Sequence, residues 1–144
     1  KMLIGEDLWN SINTFTVVRN PYKWSVSLWK YTLKYNNLGL ENRTFEQFLK
    51  SISAKFTSDI SSRRIFPSSY TQSDYLLDIS GKKIVKNIMK YEDKELKEFL
   101  YSIGIYDYED IKLAQTGSGE YRPDLYERKA VERIFEKDFD LLGY

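Results

Sequence analysis

One segment, Phe15-Thr16-Val17-Val18-Arg19-Asn20-Pro21, constrains the fold of this chain more than any other. Four aromatic or β-branched residues in a row read as a short strand. Proline cannot continue that strand in a sheet interior. Its fixed φ and missing N–H suit the first position of a helix, and Asn20 before it fits the N-cap. The segment therefore predicts a strand that turns at once into a helix, running to about Tyr35. Tyr22, Trp24, Val26, Leu28, Trp29, Tyr31 and Leu33 lie around much of its circumference, which predicts deep burial. Arg19 stands at the turn. The first N–H groups of a helix lack intrahelical partners and the dipole is positive there, so an anion is favoured beside it. A guanidinium can grip a phosphate through two hydrogen bonds. Ser27, eight residues after Arg19, lies roughly 9–10 Å along the helix axis. An anion touching both would lie alongside the helix, not cap its end. The same residues also suit an arginine in a surface ion pair and a serine merely tolerated in a helix, and spacing leaves both readings open.

The rest of the chain supplies a single domain over residues 1–144, with no repeat and no Pro- or Gly-rich linker. Thr44 opens a second helix with Gln47 placed for a capping box, and Phe45, Phe48, Leu49, Ile52 and Phe56 form its apolar stripe. Thr57 to Ser73 reads as a long polar loop. Tyr75 to Asp78 and Ile84 to Met89 read as strands around a Ser80-Gly81 turn. Asp93 is placed to cap a helix with Leu96, Phe99, Leu100 and Ile103 inside and Gly104 at its C′ position. A loop through Gly117-Ser118-Gly119 leads to a last helix, about Asp124 to Asp138, with Val131, Ile134 and Phe135 on one side. Strands mixed with helices predict an α/β fold. Three strands make a thin parallel sheet, so the architecture reads as truncated.

Composition narrows the chemistry. There is no cysteine and no histidine, which removes disulfides, thiolates, Cys-rich zinc sites and the usual general base. Reactions must run on Arg, Lys, Ser, Thr, Tyr and carboxylates, and no metal is expected. The net charge of +1 hides an asymmetry: residues 1–90 hold 14 basic and 7 acidic side chains, residues 91–144 hold 8 and 14. Two differently solvated faces would explain it, and so would an anionic ligand met by the first part. The basic residues are scattered and form no dense run, which argues against nucleic acid. No apolar run approaches the roughly 20 residues of a membrane span, and no signal pattern opens the chain. With no cysteine, the default expectation is the cytoplasm. An unpaired sheet edge would invite self-association.

Val18-Arg19-Asn20-Pro21-Tyr22 followed by Ser27-Leu28 resembles the 3′-phosphate-binding motif of the sulfotransferases that use PAPS (3′-phosphoadenosine 5′-phosphosulfate). The later segments look closest to the carbohydrate sulfotransferases. Gln72 with Tyr75-Leu76, then Lys90-Tyr91-Glu92-Asp93 with Phe99, Leu100 and Gly104-Ile105, then Tyr121 to Tyr144 with Val131, Ile134, Asp138 and Leu142-Gly143-Tyr144 follow that family's order. The resemblance implies a P-loop-NTPase-like sulfotransferase fold. It implies that Arg19 and Ser27 bind the 3′-phosphate of PAPS or its product PAP, that Ser118 contacts the nucleotide, and that the acceptor is a carbohydrate hydroxyl. Arg63 and Arg64, a basic pair in a loop, are candidate acceptor contacts.

Three departures qualify what the resemblance implies. Trp24 stands where the family motif often has a second arginine. Lys1 to Asn13 contains one glycine, Gly5, and no Gly-rich phosphosulfate loop, so the chain is expected to be the C-terminal portion of such a domain without its first βα unit. The usual base before the motif is missing, and nothing marks Glu6 or Asp7 for that role. A catalytically inactive remnant that binds a PAP-like nucleotide, or acts as an interaction module, is the alternative. A small-molecule kinase is weaker still, because no Walker A lysine is present.

Overall fold

The computed structural model of the chain describes residues 5–35, 44–56, 71–93, 95–106 and 121–144. Over these it is a helix-rich α/β structure. Helix α1 spans Glu6–Ser11, β1 Phe15–Val18, α2 Pro21–Tyr35 and α3 Phe45–Phe56; α4 spans Gln72–Leu76, β2 Asn87–Lys90, α5 Glu95–Ser102, α6 Leu125–Ile134 and α7 Glu136–Leu142. β1 and β2 pair in parallel, Phe15 against Asn87 through Val18 against Lys90, and form the sheet found among the described residues.

The strand–turn–helix junction forms where the sequence predicts it. Asn20 Oδ1 accepts from the Tyr22 N–H at 3.0 Å, a true N-cap, and α2 then runs fifteen residues. The Thr44–Gln47 capping box closes with bonds of 3.1 and 3.3 Å. Gly104 adopts φ 85°, and the Gly104 and Ile105 N–H groups return to Tyr101 and Leu100, a Schellman ending of α5.

Three expectations are corrected. Tyr75 and Leu76 belong to α4, not to a strand: Thr71 and Asp74 close a capping box that winds the chain helically from Gln72. What remains of the expected hairpin is one antiparallel bridge, Leu77 to Lys83. The neighbouring strand is shifted to Asn87–Lys90, so two strands stand where three were expected. The expected helix Asp124 to Asp138 is two helices. Asp124 does cap the first, in a box with Glu127, but Phe135 leaves helical geometry at φ −109° and ψ 25°. No Pro or Gly causes this break. Val131 and Phe135 pack into one cluster while Leu142 packs into another, and the two directions meet at Phe135.

The larger cluster joins α2, α3 and α6 through Leu28, Phe45, Phe48, Leu49, Ile52, Val131 and Phe135. The smaller joins β1, α4 and α7 through Val18, Leu76 and Leu142. α2 is less uniformly buried than its composition predicts. Its buried seam is Pro21, Ser25, Leu28 and Thr32, with the two hydroxyls returned to the Tyr22 and Trp29 carbonyls. The aromatic residues flank that seam.

Candidate functional site

The parallel ladder runs one residue past the strands, with the Tyr91 N–H donating to Val18 O at 2.7 Å. At Arg19 the backbone finds another partner. Gln72 Oε1 accepts from the Arg19 N–H at 2.8 Å, and Gln72 Nε2 donates to Arg19 O at 2.7 Å. A side-chain amide thus satisfies both main-chain groups of Arg19, as a neighbouring strand would. Gln72 is itself buried at the start of α4.

Arg19 extends over Tyr91, its guanidinium carbon 5.2 Å from the ring centroid, within cation–π range. Its Nε is buried without a hydrogen-bond partner among the described residues. Such an orphan donor costs roughly 1–3 kcal/mol, which an arginine in a simple surface ion pair would not incur. Among the described residues no carboxylate pairs with the guanidinium. Trp24 Nε1, one turn into α2, is a second buried donor without a partner among the described residues.

The end of α2 is partly occupied from within the molecule. Asn20 Oδ1 takes the Tyr22 N–H, Pro21 has none to offer, and the Asn20 N–H donates to both oxygens of Glu92 at 3.1 and 3.2 Å. The Glu92 carboxylate thus lies beside the positive end of α2, where a negative charge is favoured. Tyr144 donates its hydroxyl to Glu92 Oε2 at 3.0 Å, and Lys90 Nζ donates to Gly143 O at 2.9 Å while sitting 4.3 Å from the Tyr144 ring centroid. Desolvation first, and the Glu92 carboxylate second, hold the Tyr144 hydroxyl above its ordinary value. Gly143 and Tyr144 therefore lie against Lys90 at the C-terminal end of β2 and against Glu92 just beyond it.

Ser27 is half-buried on the α2 face shared with Asn20 and Trp24, away from the Ser25 seam. No hydrogen bond joins it to Arg19; only a ligand lying along α2 would touch both. Glu6 lies in α1, and Asp7 is exposed there, with no bond to the Arg19 cluster. Arg63, Arg64 and Ser118 lie outside the described residues. Sequence reasoning missed the roles of Gln72, Glu92 and Asp138. All three stand at positions that carry the family resemblance, but only Asp138 has a signal in the local pattern: an acidic residue at helical spacing between the apolar Phe135 and Leu142.

A separate groove of about 310 Å³ between α3 and α6 shares no residue with this cluster. Its acidic side chains are engaged internally: Glu46 pairs with Lys50 at 2.7 Å, and Glu127 accepts from the Tyr121 hydroxyl at 2.7 and 2.8 Å and from the Asp124 N–H. Among the described residues no group of three His, Cys, Asp or Glu could hold a metal ion, and no helix is long and apolar enough to cross a membrane. Comparison with family models, curated proteins and solved structures yields no match.

Proposed function

We propose that the β1–α2 junction binds the 3′-phosphate of a PAPS- or PAP-type nucleotide, within a sulfotransferase-like domain that transfers a sulfuryl group from PAPS to a carbohydrate hydroxyl. The observation that carries this reading is Arg19. Its main chain is fastened on both sides, its guanidinium has no carboxylate partner among the described residues, and it stands at the end of a parallel strand where a helix begins. With the helix end occupied by Glu92, the phosphate lies alongside α2, in reach of Arg19 and Ser27. Ser118 would add a nucleotide contact, and Arg63 and Arg64 acceptor contacts. In the reaction the acceptor oxygen forms a bond to sulfur as the bond from sulfur to the PAP 5′-phosphate oxygen breaks, and the hydroxyl proton passes to a base. Positioning and cations around the transferred group supply most of the catalysis, by analogy with phosphoryl transfer.

A second reading, a binding module without catalysis, is favoured by one specific observation. Glu92, a carboxylate bonded at this junction, is engaged by the Asn20 N–H and the Tyr144 hydroxyl and is not poised as a base.

A thermal-shift series with PAP, AMP and ATP tests binding. PAP at a hundred times its Kd should stabilise the wild type by about 2.7 kcal/mol. Arg19→Ala should weaken PAP binding by about 1.5–3 kcal/mol, the range for a hydrogen bond to a charged group. If PAP stabilises both proteins equally, or neither, the assignment is wrong. Transfer of labelled sulfate from PAPS to a glycan separates the two readings: incorporation excludes the non-catalytic module, and PAP binding without incorporation excludes the enzyme.

A further inference from the structure

Arg19 is positioned through its backbone, and the residues that position it are distant in sequence. Asp138, fully buried in α7, accepts from the Gln72 N–H at 3.0 Å, the Ser73 N–H at 2.7 Å and the Ser73 hydroxyl at 2.5 Å. Gln72 in turn holds Arg19. We infer that Gln72 and Asp138 are positioning residues for Arg19, and that the seating of α7 is coupled through them to ligand binding at the β1–α2 junction. The coupling to ligand rests on the nucleotide reading above; the positioning does not.

First, α4 has only five residues, too few for a helix to persist on its own propensity. Its location is set by its anchors, and the fully buried carboxylate of Asp138 is one that fixes its first two N–H groups. A buried carboxylate persists only with such donors, and here three meet it. Second, Gln72 is the first residue of α4, so fixing the start of α4 fixes the Gln72 side chain. Its amide oxygen and nitrogen are both bonded to the Arg19 main chain, and both Asp138 oxygens are bonded within α4. Neither residue is offered to a ligand; each acts through Arg19. Third, the Arg19 guanidinium carries no ion pair among the described residues to hold it, so its direction follows from its backbone and from Tyr91. Loss of the amide clamp frees the backbone and lets the side chain leave the ring. Because linkage is reciprocal, a ligand that fixes Arg19 must also tighten the attachment of α4 to α7.

The experiment has a ligand-free arm and a ligand arm. An arginine lying over a tyrosine ring shows ring-current-shifted δ-proton resonances. In the ligand-free protein, Gln72→Leu and Asp138→Asn should return the Arg19 resonances to unshifted positions and speed amide exchange at Arg19 by about tenfold or more. Val131→Ala, which removes packing from the other cluster, should lower the melting temperature and leave both readings unchanged. Gln72→Glu keeps an acceptor for the Arg19 N–H and should fall between wild type and Gln72→Leu, so the test does not depend on Asp138→Asn folding. If Gln72→Leu leaves the Arg19 resonances and exchange as in wild type, the positioning role is overturned, whatever PAP does. In the ligand arm, PAP should bind Gln72→Leu about tenfold more weakly and should slow exchange of the Ser73 amide in the wild type. PAP binding without that slowing overturns the coupling. Failure of wild type to bind PAP overturns the nucleotide reading and leaves the ligand-free arm to decide the positioning role.

Discussion

Glu92→Gln should make this protein less stable and its anion site stronger, two effects of opposite sign from one substitution. In the wild type the carboxylate accepts from the Asn20 N–H and from the Tyr144 hydroxyl at the positive end of a fifteen-residue helix. A carboxylate at a surface helix end contributes about 0.3–1 kcal/mol through the dipole. Its charge-assisted hydrogen bonds are about twice as strong as those of a neutral amide, but Glu92 is exposed and solvent screening reduces that gain. Glutamine retains one acceptor oxygen. The net loss is about 1 kcal/mol, or roughly 3 °C in a domain of this size. The gain in binding comes from removing a negative charge near the proposed phosphate. At a separation on the order of 8 Å and an effective dielectric of about 40, each pair of charges repels by about 1 kcal/mol. Salt near 0.15 M reduces this to well under half, and a dianion doubles what is left, which gives about a fourfold gain in affinity. Melting in phosphate-free buffer and calorimetric titration with PAP, each at 0.05 and 0.5 M salt, read the two effects. A variant that melts like wild type would refute the role of Glu92 as the internal cap of α2. A variant that binds PAP no more tightly at low salt would refute a phosphate lying beside it.

Two further outcomes concern stability. Tyr121 and Tyr144 are held above their ordinary value of 10.0, first by desolvation and then by bonds to Glu127 and Glu92. Above pH 10 the unfolded chain loses these protons before the folded one. Stability conferred by the neutral hydroxyls is therefore intact below pH 10 and declines as pH rises past it. Melting temperatures from pH 8 to 11.5 should fall in the upper part of that range. The Tyr121→Phe, Tyr144→Phe pair should start lower and fall less steeply; an unchanged slope would refute the assignment. Asp124→Ala removes the N-cap of α6, whose carboxylate accepts from the Glu127 N–H at 2.9 Å, and should cost about 1 kcal/mol in urea unfolding with an unchanged m-value.

What the sequence disclosed and what it withheld separate along physical lines. Local rules located β1, the Asn20-Pro21 start of α2, the Thr44 and Asp124 caps and the Gly104 ending, because each is decided within four or five residues. The same rules misread Tyr75-Leu76. Their β propensity yields to the Thr71–Asp74 capping box and to the buried Asp138 carboxylate that fixes the helix start, and the second of these comes from 62 residues beyond Leu76 in sequence. The break at Phe135 was equally hidden, since it arises from two clusters pulling one amphipathic pattern in different directions. At the candidate site Arg19 was legible because a basic residue between a strand and a proline is a local signal. Glu92 was not: that a carboxylate fills the end of α2 depends on β2 lying beside β1, which spacing within residues 15–28 cannot reveal.

That division has a consequence for where binding resides. The segment from Phe15 to Leu28 contains Arg19 and Ser27, but every group that orients Arg19 comes from elsewhere: Tyr91 from the end of β2, Gln72 from α4, and Asp138 behind Gln72 from α7. Bringing these four segments together costs chain entropy that the buried apolar residues of the smaller cluster, Val18, Leu76 and Leu142, are placed to offset. Leu76 and Leu142 belong to α4 and α7, two of the elements that orient Arg19, and Val18 directly precedes it in β1, so packing and site geometry are the same assembly. An isolated 15–28 peptide lacks the amide clamp, the ring and the cluster. Its arginine samples many directions, and its affinity for a phosphate should reflect charge alone, vanishing as salt rises. In the folded protein the direction is set before the ligand arrives. Binding there should retain a salt-resistant part, because the cost of ordering Arg19 is met by contacts that involve no mobile charge.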